Sequence, residues 1–103
     1  MKRSAGVRIA RQVKASLLEL GFPVKRVLLF GSVAQNTATS GSDIDIAVVC
    51  DPFRSSSMEE RVDIHLASMD VDSRVETVTL HPKDFKRPFF TLGKEIERTG
   101  VEV

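Results

Sequence analysis

At 103 residues the chain is limited to a single domain spanning 1–103, with room for a modest core and none for a separate substrate domain. Hydrophobic residues at 42% and charged residues at 28% are those of an ordinary folded domain and exclude a disordered or low-complexity chain. The formal net charge of +1 gives no bulk attraction to nucleic acid, and the basic residues Lys83, Lys86 and Arg87 read as solvated surface, so direct nucleic-acid binding is not expected.

The opening MKRSAGVRIARQVK interrupts its apolar positions with Arg and Lys and lacks the apolar stretch of a secretory signal. Ser4 is a candidate N-cap, Val7, Ala10, Val13, Leu17 and Leu20 recur at helical spacing, and Gly21 offers a stop, which predicts a helix over Ala5–Leu20. Pro23 breaks the chain, and the β-branched and large apolar run Val24–Phe30 predicts a buried strand. A stretch of small and polar residues follows from Gly31 to Ser42, too long for an ordinary connection without a purpose. Asp43–Cys50 then alternates Asp43 and Asp45 with Ile44 and Ile46, the period of two of a strand with one face on the core. The apolar runs Val27–Phe30 and Ile46–Cys50 are far too short to span a bilayer, so no membrane association is expected. Cys50, the single cysteine, fits a reducing cytoplasm and reads as a buried strand end.

Asp51–Ser57 reads as a turn and linker, and Met58–Ser68 as a helix with Val62, Leu66 and Met69 as its core stripe. His65, with no second ligand at i+4, reads as a surface or edge-of-core residue and not as a metal ligand. Arg74–Leu80 predicts a third strand ended by Pro82. Pro88–Arg98 predicts a last helix with Phe89, Leu92 and Ile96 on its core side, and Val101–Val103 a short edge strand after Gly100. The order implies an α/β (α+β) fold: a small mixed β-sheet with helices packed on one face, the other face left for chemistry.

The chemistry concentrates around the polar stretch. Asp43 and Asp45, two apart on a strand, project from one face about 6–7 Å apart and can share a hard divalent cation, Mg²⁺ first. Gly31 lets the backbone turn tightly, so its amide and the amide and hydroxyl of Ser32 can donate to phosphate oxygens beside that cation. A P-loop is excluded because Gly41-Ser42-Asp43 lacks the phosphate-binding lysine. An EF-hand starting at Asp43 is excluded because Val48 stands where glycine is needed. Glu76 is either an exposed strand residue or, in suitable register, a third carboxylate. Three carboxylates could hold two metal ions for displacement at phosphorus.

Gly31-Ser32, ten intervening residues, Asp43-Ile44-Asp45 and the later Glu76 resemble the minimal nucleotidyltransferase (MNT) domains of the DNA polymerase β-like superfamily. The resemblance implies a nucleotidyltransferase palm. NTP phosphates would lie at Gly31 and Ser32, two Mg²⁺ ions at Asp43, Asp45 and Glu76, and an acceptor hydroxyl would attack the α-phosphate of ATP. It also implies a protein acceptor and a cytoplasmic antitoxin paired with a HEPN toxin. Relatives often continue Gly-Ser-x-Ala-Arg-Gly, whereas this chain has Gln35 and Asn36, and their third acid is usually aspartate, not Glu76. Those departures support an alternative, a catalytically weak or inactive MNT-fold module that neutralises or supports its partner by complex formation; a third reading is a small nucleotide-recognition subunit of a larger transferase.

Overall fold

A computed structural model describes all residues from Met1 to Val103. The elements are α1 (Arg3–Glu19), β1 (Val24–Phe30), α2 (Gly31–Ala34), β2 (Ile44–Cys50), α3 (Ser57–Val71), β3 (Val75–Leu80), a 3₁₀ turn (Pro82–Lys86), α4 (Thr91–Thr99) and β4 (Val101–Glu102). They form one four-stranded sheet in the order β3-β2-β1-β4. β1 runs antiparallel to β2 and β4, and β2 pairs parallel with β3, a connection that needs the crossover helix α3. The sheet is therefore mixed, as the element order implied.

Strand alternation divides the core. Ile44, Ile46 and Val48 of β2, with Val27 and Leu29 of β1, pack under Ile9, Val13 and Leu17 of α1 and Ile64 of α3. The alternate residues Leu28, Ala47, Val49 and Leu80 face the other way and meet Ile96 of α4, with Phe85 and Phe90 alongside. The second face is thus partly roofed by α4 and the 3₁₀ turn instead of standing wholly free. No helix is long and apolar enough to cross a membrane.

Four local expectations change. α1 starts at Arg3 with Lys2 as an N-cap lacking a side-chain cap, so Ser4 lies inside the first turn. The end is secured from elsewhere: the Arg3 amide donates to Asn36 Oδ1 at 2.9 Å, and Arg3 Nε donates to the Ala34 carbonyl at 2.5 Å. The linker ends earlier, because Ser56 caps α3 by accepting from the Glu59 amide at 3.2 Å.

On α3 the expected stripe is the wrong one. Val62, Leu66 and Met69 are open to solvent, Leu66 by 58%, and the buried line is Glu60, Ile64 and Ser68. Those polar residues tolerate burial because they are bonded. Glu60 accepts from the Phe53 amide at 2.6 Å and pairs with His81 Nε2 at 2.8 Å, and Ser68 Oγ donates to the Ile64 carbonyl at 2.7 Å. Before α4, Phe89 takes φ +62° and stands 91% exposed, so Phe90 turns inward to an edge contact with Phe85. Leu92 is exposed too, leaving Gly93 and Ile96 as the buried positions of α4.

Candidate active site

The site grows from the end of β1. Phe30 pairs with Asp45 across β1 and β2, so the next residue, Gly31, turns directly beside the Asp45 side chain. Gly31 has φ +72°, and a Cβ there would overlap the Asp45 carboxylate, whose Cγ lies 3.1 Å from that point. Two independent demands therefore meet at one glycine: a left-handed backbone and contact with an acid. Gly31 opens α2, a single turn anchored by buried Val33 and Ala34 that leaves Ser32 half-buried.

The rest of the polar stretch is folded back on itself. The Thr37 amide donates to the Ser32 carbonyl at 2.9 Å, and the Thr39 amide donates to Ser42 Oγ at 3.0 Å. Asn36 sits at φ 60°, a conformation its short polar side chain tolerates better than most. This single turn and its tie to Arg3 were missed in the sequence. The pair Val33-Ala34, apolar within a polar run, was the available sign.

The acids come from adjacent strands. Asp45 of β2 and Glu76 of β3 are direct partners in the parallel register, so both side chains leave the same face. Asp43 precedes the first strand residue by one position and lies within hydrogen-bonding reach of Glu76. Burial pushes the Asp45 carboxyl above its ordinary range, with the Asp43 charge adding to the effect. Glu76 is raised by its hydrogen bond with Asp43, then by the Asp43 charge, burial and the Asp45 charge, with His65 opposing. Like charges are crowded here. As it stands, no three acidic, imidazole or thiol groups are gathered tightly enough to hold a metal ion.

The oxygen-only donor set of Asp43, Asp45 and Glu76 suits a hard cation such as Mg²⁺. Cys50 is buried at the end of β2, its thiol pushed up to about 11 by burial and then by the Glu60 and Asp51 charges, so it is no nucleophile.

A glycine turn set against strand-borne acids on a small mixed sheet defines an α/β domain with its polar groups gathered at one end of the sheet. The family model for the nucleotidyltransferase domain matches residues 10–99, and the chain belongs to that family. Among solved structures it is similar to a candidate nucleotidyltransferase from Sulfolobus solfataricus, with TM-score 0.67 and 18% identity over 97% of this chain and 80% of that one. It is also similar to a chain of a toxin–antitoxin complex with AMP-PNP, with TM-score 0.65 and 23% identity over 90% of this chain and 70% of the other. A third similarity, with TM-score 0.62 and 23% identity over 90% and 69% of the two chains, is to a mutant of the toxin–antitoxin MntA–HpeT. At these identities the likeness establishes the fold. A search of curated proteins returns no match.

Proposed function

We propose that the chain transfers a nucleoside monophosphate, AMP from ATP in the first instance, to a hydroxyl of a partner protein, as the antitoxin of a toxin–antitoxin pair with a HEPN toxin. The observation that carries this is the apposition of Gly31 to Asp45, with Glu76 as the register partner of Asp45. The Gly31 and Ser32 amides and the Ser32 hydroxyl bind phosphate oxygens. Asp43, Asp45 and Glu76 would hold Mg²⁺, two ions when nucleotide is bound, which neutralises charge on the phosphates. The attacking hydroxyl gives its proton to a neighbouring carboxylate, Glu76 or Asp43, while the bond from the α-phosphorus to pyrophosphate breaks. ATP as donor and a toxin as acceptor are supported by the two toxin–antitoxin neighbours, one of them with AMP-PNP. These 103 residues contain no tyrosine, so a tyrosine acceptor must lie outside them. Radiolabelled ATP, Mg²⁺ and the product of the adjacent gene give the test. Label should move to that product and be lost with Asp43→Ala or Asp45→Ala; no label, with both variants behaving as the parent, refutes the reading.

A second reading has its own observation. Met58, Val62, Leu66 and Met69 expose an apolar line along α3, a surface that a protein partner would cover. A module that neutralises its partner by complex formation would do so without nucleotide, and Asp43→Ala would leave that neutralisation intact.

A further inference from the structure

The two edges of the sheet are unlike. β4 is two residues long, and its Glu102 is engaged by Arg26 at 2.9 Å. β3 is six residues, Val75 to Leu80, in unbroken register with β2 and with no strand on its other side. It carries no proline, lysine or bulge, the devices that ordinarily protect such an edge.

The groups left open on β3 follow from its ladder. The Ile44 amide donates to the Arg74 carbonyl at 3.0 Å, and backbone groups alternate in direction along a strand. Glu76, Val78 and Leu80 therefore turn their amides and carbonyls toward β2, while Thr77 and Thr79 turn theirs outward. Both ends of this outward row are closed within the chain. The Val75 amide donates to the Asp72 carbonyl at 3.1 Å, and the His81 amide donates to Asp84 Oδ2 at 2.8 Å. Thr77 and Thr79 remain, and their hydroxyls are enclosed without a hydrogen-bond partner, a condition that costs free energy.

An identical strand satisfies these groups. Laid antiparallel about a two-fold axis at Val78, a second copy sets its Thr79 opposite Thr77 and its Thr77 opposite Thr79. Each pair exchanges both backbone bonds, and the threonine side chains face each other across the strands, where they exchange hydrogen bonds. The two Glu76 residues then lie about 14 Å apart along the strand direction. An axis at Thr77 would halve that separation between like charges and would require the Val75 amide, which Asp72 already holds. An axis at Thr79 would require the His81 amide, held by Asp84. The helix above supplies apolar area to the same contact. His65 of α3 acts on the charge of Glu76, which places it beside the β3 edge, and the exposed Val62 and Met69 stand three positions before and four after it on that side of the helix.

We propose that the free edge of β3 is a dimer interface, at which two copies of this chain pair antiparallel through Thr77 and Thr79. One sheet then runs through both copies. The acids of the two copies open on the face opposite α1 and α3.

Sedimentation velocity of the full chain over a concentration series tests it, with Thr77→Pro beside the parent. Proline at 77 deletes an amide that points away from β2, a place where an edge strand tolerates it. The parent should reach twice the mass of one chain, and Thr77→Pro should remain single with its circular dichroism unchanged. Crosslinking decides the matter even if Thr77→Pro does not fold. Val78→Cys would face its own copy across the axis in a non-hydrogen-bonded pair, with Cα atoms about 4.5 Å apart and within disulfide reach. Ser73→Cys lies five residues from the axis, and the native Cys50 is buried. Mild oxidation should convert Val78→Cys to a reducible dimer and leave Ser73→Cys and the parent as single chains. A parent that stays single at every concentration overturns the interface, as does a dimer that folded Thr77→Pro leaves intact. Val78→Cys that crosslinks no more than Ser73→Cys also overturns it. Nucleotide transfer is a separate readout, and none of these outcomes alters it.

Discussion

Gly31 is where fold and chemistry constrain the same atom. Gly31→Ala must adopt a left-handed backbone, costing about 1–2 kcal/mol, and must also push the Asp45 carboxylate away from the turn. The expected outcome is a modest fall in denaturant midpoint with a much larger loss of nucleotide transfer, read by chemical denaturation and by labelling of the partner. A variant that is destabilised yet fully active would separate Gly31 from the site. Asn36 makes a milder case. It holds φ 60° and accepts the Arg3 amide through its side chain. Asn36→Ala loses both and should cost about 1–2 kcal/mol, whereas Asn36→Gly keeps the backbone freedom and loses only the cap.

At the scale of elements, α3 carries an apolar line and a mostly polar one, and buries the latter, Glu60, Ile64 and Ser68. Ile64→Ala should cost about 2–5 kcal/mol, since Ile64 is fully enclosed, while Leu66→Ala should change stability by less than about 0.5 kcal/mol. Thermal melts of the two variants decide this, and equal losses would mean that the exposed line is covered in solution. The strands were legible because β-branched runs and the Asp-Ile alternation have one reading. The buried side of α3 was not, because Glu60 and Ser68 look polar until their partners, Phe53, His81 and Ile64, are known. The same holds near α4, where one backbone angle at Phe89 decides which of two adjacent phenylalanines enters the core. Within the site, the Gly-Ser turn and the aspartates could be read as a spacing, but the Arg3 brace joins residues more than thirty positions apart and leaves no local trace.

Over the whole molecule, acids at opposite ends of β2 give stability opposing dependences on pH. Burial pushes the Glu60 carboxyl up, but the Phe53 amide, His81 and the Arg54 amide outweigh it and hold it below its ordinary range. A depressed acid contributes stability that is present above its unfolded value, about 4, and is lost as pH falls through the folded value. Asp45 and Glu76 are raised, so their charged forms oppose folding: the penalty is absent below about pH 4 and grows as pH rises through their folded values. Glu60→Gln should therefore destabilise by about 1–3 kcal/mol at neutral pH, with the deficit shrinking in acid. Asp45→Asn should stabilise the nucleotide-free chain at pH 7 and have little effect at pH 3, while abolishing transfer. Melting temperatures of the parent and both variants from pH 3 to 8 check the two signs together. An Asp45→Asn protein less stable than the parent at pH 7 would mean that the carboxylate is a structural asset, and that like-charge crowding beside Gly31 is relieved within the chain instead of awaiting a cation.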